Sequence, residues 1–202
     1  ENIGLETNPD GTLAVNDCLQ TRYPNIYACG DVTGPFQLTH AAAHQAWYCA
    51  VNALFGSFHK FKVDCRVMPR GVFTSPEIAR VGLNEQEAIK AHVAYETTVY
   101  GIDDLDRAIA DGDASGFIKV LTPPGKDTIL GVTIVGKHAT ELLAEFTLAM
   151  RHGLGLRKIL ATVHPYPTYG EAAKFAAGLW QQRHLPQRLL AVAERYNRWR
   201  RS

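Results

Sequence analysis

A chain of 202 residues can bury a hydrophobic core and suits one or two domains. Its formal charge of +1 gives no global case for a nucleic-acid partner. No apolar run approaches the roughly 18 residues that a membrane-spanning helix needs.

The chain opens at Glu1 in loop-like sequence without a signal peptide and reads as part of a longer polypeptide. Residues 1–64 form the first expected segment. Pro9-Asp10-Gly11-Thr12 is a turn between two short apolar runs and predicts a hairpin, with Leu13 and Val15 on a half-buried strand. Ile26 to Ala28 reads as a buried strand. Gly30 lets the backbone turn after it, and Asp31 stands at the strand end, where a carboxylate accepts hydrogen bonds from sugar-like hydroxyls. Gly34-Pro35 breaks the chain and Thr39 offers a helix cap. From His40 to Phe55 the sequence is Ala-rich, with Trp47, Tyr48, Val51 and Leu54 at helical spacing, and Gly56 ends the helix. His40 and His44 lie one turn apart but lack the Glu of a metalloprotease helix, so no metal is assigned.

The composition shifts after Lys60, and residues 65–183 form the second expected domain, an α+β unit with an antiparallel sheet flanked by helices. Strands are predicted over Gly71 to Thr74, Ile78 to Val81, Ala94 to Tyr100, Gly116 to Leu121 and Ile129 to Val135. Asn84 caps a helix over Glu85 to Ala91. Asp111-Gly112-Asp113 reads as a polar loop, since the spacing of a calcium loop is not completed. Thr140 to His152 carries Leu142, Leu143, Phe146 and Met150 on one face and stops at Gly153. Leu156 to Val163 predicts a shorter helix.

His164-Pro165-Tyr166-Pro167-Thr168-Tyr169-Gly170-Glu171 is the second chemical stretch. Its prolines stiffen a loop that enters a helix, and Thr168 to Glu171 has capping-box spacing. Residues 184–202 form a basic, amphipathic terminal helix. Leu189, Val192, Tyr196 and Trp199 lie opposite Arg188, Arg195 and Arg198. Such a helix could rest on an anionic membrane surface, but docking on its own domain is the expectation. Cys18, Cys29, Cys49 and Cys65 are far apart in sequence and make no C-x-x-C pair. They read as reduced, mostly buried thiols, which fits a cytoplasmic protein.

Taken together, Val15-Asn16, Gln20-Thr21, Pro24 to Ala28, Gly30-Asp31-Val32, Phe73 to Ala79, Gly116 to Val120 and Ile129 to Val132 resemble the pyridine nucleotide–disulfide oxidoreductases in order. The resemblance covers nearly the whole chain. It implies the end of an FAD-binding α/β domain followed by the family's dimerisation domain, in a homodimer. It places Gly30 and Asp31 at the FAD ribityl chain, and Gln37, Leu38, Thr39 and His40 against the flavin and pyrophosphate. NAD(P)H and the redox-active cysteine pair would belong to a region upstream. Family members with His-Pro-Thr-x-x-Glu use that His as an acid/base toward the partner subunit, oriented by the Glu. Here Pro167, Thr168 and Glu171 match, Tyr166 stands at the His position, and His164 lies two residues early. The catalytic candidates are therefore Tyr166, Glu171 and His164. Because a phenol titrates near 10, Tyr166 is a donor or acid rather than a base at neutral pH. The Tyr resembles mercuric reductase-like and transhydrogenase-like members, and the electron acceptor is expected to be a small molecule or a metal ion. Alone, the chain is expected to be catalytically silent; a stand-alone pairing module is the competing expectation.

Overall fold

In the computed structural model, which describes residues 3–201 and their side chains outside 187–191, the chain divides between Arg66 and Val67 into two compact units. The first is loop-rich and built on one long helix, α1 (Thr39–Phe55). At the expected hairpin the Asn8 amide donates to the Thr12 carbonyl at 2.7 Å, and the Asp10 carboxylate accepts from the Thr12 amide and hydroxyl. A single bridge, Thr7 to Leu13, closes it, so the flanking runs are not extended strands.

The strand expected at Ile26 to Ala28 is also reduced to one bridge, Tyr27 to Gln20, and its residues are half-buried. A strand needs a neighbouring ladder, and among the described residues none lies beside this segment. The cap at α1 differs as well. Leu38 holds the extended cap position and makes no side-chain cap bond, and Thr39 is already helical. The helix buries Ala41, Gln45 and Asn52 rather than its bulky apolar residues. Asn52 donates to the Cys18 and Phe61 carbonyls and accepts from the Phe61 amide at 2.8 Å, satisfying a buried amide completely. Trp47, Leu54 and Phe55 are exposed.

The second unit carries a five-stranded antiparallel sheet in the order β1-β2-β5-β4-β3, formed by β1 (Arg70–Val72), β2 (Glu77–Gly82), β3 (Glu96–Gly101), β4 (Gly116–Thr122) and β5 (Gly131–Gly136). Strand alternation sorts its faces. Ala79, Val81, Ile118, Val120, Val132 and Ile134 are buried, while Ile78, Arg80, Lys119 and Thr133 point the other way. The buried face is covered by α4 (Ala139–Arg151) and α6 (Glu171–Arg183). Leu142, Leu143 and Phe146 of α4 fill the core, and the Ala172, Ala173, Ala176 and Ala177 face of α6 lets that helix approach closely. Gly131 is dictated by contact: a Cβ there would collide with the Leu83 carbonyl.

Shorter helices complete the unit: α2 (Glu85–Lys90), α3 (Asp106–Ala110) and α5 (Leu156–Leu160). Helix α5 stops three residues before the expected end, and Val163 is exposed. Pro165 disfavours helical backbone at His164, so the apolar run ends in a loop. Helix α7 (Gln187–Arg201) departs from expectation too. Val192, Tyr196 and Trp199 are 65, 54 and 72 % exposed, so its apolar face is not covered by the chain's own core. Leu189 and Arg188 lie outside the described side chains.

Candidate functional site

The first candidate site lies at the head of α1. Gly30 has φ +77°, a left-handed conformation that favours glycine, and a Cβ there would stand 3.0 Å from the Ala42 Cβ. The turn therefore presses directly onto the helix. Gln45 fastens it, accepting from the Gly30 amide at 2.7 Å and from the Thr33 hydroxyl at 3.3 Å. Asp31 follows on the short 3-10 helix Gly30–Thr33 and is exposed, as are Gln37, Thr39 and His40, while Leu38 is half-buried. Leu38, the cap residue of α1, brings no side-chain cap to this 17-residue helix, whose positive end lies in the same unit as the exposed Asp31 carboxylate. That pairing suits a ligand bearing both hydroxyl donors and electron-rich oxygens. The fastener Gln45 escaped the sequence reading, because a buried amide in an Ala-rich helix carries no motif.

Cysteines distant in sequence also meet in this unit. Burial and the neighbouring Cys29 push the Cys49 thiol up to about 11. Only Cys18 is buried, and the other three are half-buried, which corrects the expectation of mostly buried thiols. Among the described residues no group of three or more His, Cys, Asp or Glu could hold a metal ion.

The second site is the loop joining α5 to α6. His164 is nearly buried, with 7 % of its side chain exposed. Its Nε2 lies 3.1 Å from both Glu145 carboxylate oxygens, and its Nδ1 lies 3.0 Å from the Thr162 carbonyl. Both ring nitrogens face oxygen atoms. His164 is thus occupied on both sides and fastens the loop to α4. Glu171, the first residue of α6, is buried and accepts from the Thr168 amide at 3.1 Å. The expected capping box is only half present, because the Thr168 hydroxyl donates to the Pro165 carbonyl and Gly170 is the cap.

Tyr166 stands between these fastenings and is 71 % exposed. Its hydroxyl donates to the Asp106 carboxylate at 2.8 Å, which holds the phenol's pKa above its ordinary value. The carboxylate expected to orient this position, Glu171, does not take the Tyr166 hydroxyl. The loop brings Tyr166, His164 and Glu171 close in sequence but gives each a separate partner. Asp106 and Glu145 were not legible as members, since each comes from a distant element. Nearby, the Tyr100 hydroxyl is buried without a partner, and burial followed by the charges of Asp104 and Asp103 raises it to about 12.

The family model for the pyridine nucleotide-disulphide oxidoreductase dimerisation domain matches residues 68–177. The chain belongs to this family. A second model, pyridine nucleotide-disulphide oxidoreductase, matches residues 1–46. Among curated relatives, the dihydrolipoyl dehydrogenase of Chlamydia trachomatis is 36% identical over 176 residues, covering 85% of this chain and 37% of the relative. The mitochondrial dihydrolipoyl dehydrogenase of Sus scrofa is 32% identical and is covered to 34% of its length. The chain therefore spans just over a third of such relatives. Among solved structures, LpdA from Mycobacterium tuberculosis aligns with TM-score 0.76 at 27% identity, over 86% of this chain and 38% of that one. The HOCl-induced flavoprotein disulfide reductase RclA from Escherichia coli aligns with TM-score 0.76 at 25% identity, over 87% and 40%. The antiparallel sheet with its flanking helices is the dimerisation fold of this oxidoreductase family.

Proposed function

We propose that the chain is the C-terminal portion of an FAD-dependent NAD(P)H oxidoreductase that works as a homodimer. The observation that carries this reading is the Gly30–Asp31 turn pressed against the first turns of α1, joined in one chain to a dimerisation domain. A module made only for pairing has no use for such a turn. The residues fit the cofactor. Asp31 would accept from ribityl hydroxyls, and the backbone of Gln37, Leu38, Thr39 and His40 would face the flavin and pyrophosphate oxygens. FAD, when bound, supplies hydride acceptance from the nicotinamide and electron delivery onward. The exposed Trp47, Leu54 and Phe55 support burial of this unit against the rest of the FAD domain.

In this reading Tyr166 reaches the partner subunit's active site as a neutral phenol, not a base, with its hydrogen already given to Asp106. The raised phenol pKa supports the neutral form. The electron acceptor is a small molecule or a metal ion, as in mercuric reductase-like members, and the chain alone is inactive because the nicotinamide site and redox cysteines belong elsewhere in the enzyme. The four free thiols support a reducing, cytoplasmic setting.

The test is flavin retention by the full-length enzyme. Replacing Asp31 with Ala removes an ionised acceptor, and the affinity for FAD should fall about ten- to a hundredfold. Flavin content after gel filtration reads the effect. Retention equal to wild type overturns the assignment of Asp31 to the cofactor.

A further inference from the structure

Carboxylates from separate elements hold the loop between α5 and α6 at alternate residues. Glu145 of α4 takes His164, Asp106 of α3 takes Tyr166, and Glu171 of α6 takes Thr168. The outer two fasten buried or backbone groups. The middle one differs, because Tyr166 is an exposed residue, and an exposed hydroxyl needs no protein partner for its own satisfaction. Asp106 itself is firmly sited. It begins α3, and Ile102, Leu105 and Ala108 around it are fully buried. A carboxylate on an anchored turn therefore sets the direction of an exposed phenol sixty residues further along the chain.

We propose that Asp106 is the positioning residue for Tyr166, and that the pair selects electron acceptors presenting a hydrogen-bond donor or a cation. With its hydrogen committed to Asp106, the phenol oxygen turns its lone pairs outward. The incoming group it fits is an N–H, O–H or S–H donor, or a positive ion. Asp106 is the nearest charge, and Glu171 adds a second negative charge from α6, so both groups facing the phenol disfavour a phenolate. The inference rests on the reading of Tyr166 as a residue of the partner subunit's active site.

The experiment uses the full-length holoenzyme with Tyr166→Phe, Asp106→Asn and Asp106→Glu. NAD(P)H-driven reduction of mercuric chloride, lipoamide and a second nicotinamide nucleotide is followed against pH. The Tyr166 phenol is titrated by ultraviolet difference against Tyr166→Phe, and flavin content reports folding. Asp106→Asn keeps the shape and removes the charge. The phenol should titrate at lower pH, the alkaline limb of turnover should move the same way, and kcat should fall roughly tenfold or more with KM little changed. Asp106→Glu keeps the carboxylate and should recover the wild-type titration and part of the turnover. If Tyr166→Phe lowers turnover while Asp106→Asn leaves titration and pH profile at wild type, the positioning role is overturned and the Tyr166 reading stands. A shifted titration with unchanged turnover also overturns it, leaving a merely structural bond. Turnover of Tyr166→Phe equal to wild type with every acceptor overturns both.

Discussion

Trp180 shows how single residues hold the second unit together. The indole is fully buried at the end of α6, and its Nε1 donates to Glu96 at 2.9 Å and to the Thr122 hydroxyl at 3.2 Å. Glu96 also meets His184 Nε2 at 3.0 Å, while the His184 ring stacks on the indole. Burial pushes the Glu96 carboxyl up, but hydrogen bonds from Trp180, the Gly125 backbone and Thr122 outweigh it, and the pKa is lowered. A lowered folded pKa stabilises above the unfolded value of about 4.3, and that stability is lost as pH falls through the folded value. Glu96→Ala removes an acceptor from a buried donor and should cost about 1–3 kcal/mol at neutral pH. Glu96→Gln should keep most of the neutral stability and flatten the acid limb. Denaturant unfolding at neutral and acid pH checks both, and an acid limb unchanged in Glu96→Gln counts against the account.

Helix α2 is an element specified by its own end. Asn84 accepts from the Glu87 amide at 2.8 Å, and Glu87 returns the bond to the Asn84 amide at 3.1 Å, a complete capping box. The other Glu87 oxygen takes Arg80 of β2 at 2.7 Å, so the cap also ties the helix to the sheet. Asn84→Ala should therefore cost about 1 kcal/mol, the usual worth of a cap. Thermal melts of the whole chain read it, and a midpoint equal to wild type rejects the cap as a stabilising feature. The same kind of local signal is weaker at α6, where Thr168 turns its hydroxyl to Pro165 and leaves only the carboxylate half of the box.

At the scale of the whole molecule, the proposed enzyme assembles each active site from two subunits, one giving Asp31 and the flavin, the other Tyr166. Such an arrangement can be tested by complementation. Subunits bearing Asp31→Ala and subunits bearing Tyr166→Phe are each expected to be poorly active as homodimers. Unfolded, mixed in equal amounts and refolded with FAD, about half of the dimers are heterodimers, and each holds one complete site. Turnover should recover to roughly a quarter of wild type. If Tyr166 served the flavin of its own subunit, no site in any mixed dimer would be complete and no recovery would appear. Steady-state rates on the mixture, with sedimentation to verify dimers, decide between the two.

By itself the sequence determined the features whose causes are local. Strand β4, the Asn84 cap, the Gly153 stop of α4 and the Gly30–Asp31 turn all follow from neighbouring residues and are found where those residues place them, while β5 begins two residues after the expected Ile129. Tertiary structure decided what depends on distant partners. Ile26 to Ala28 has strand composition, but a strand exists only beside another, and among the described residues the pairing is a single bridge between Tyr27 and Gln20. The helical spacing of Trp47 and Leu54 was legible, but their exposure was not, nor was the burial of Gln45 and Asn52, whose amides bond the turns beside the helix. Tyr166 was legible as an unusual residue in a motif. Its partner Asp106 was not, because the 2.8 Å bond joins two elements brought together only when α3 and the α5–α6 loop pack onto the same unit, and no local pattern encodes that meeting.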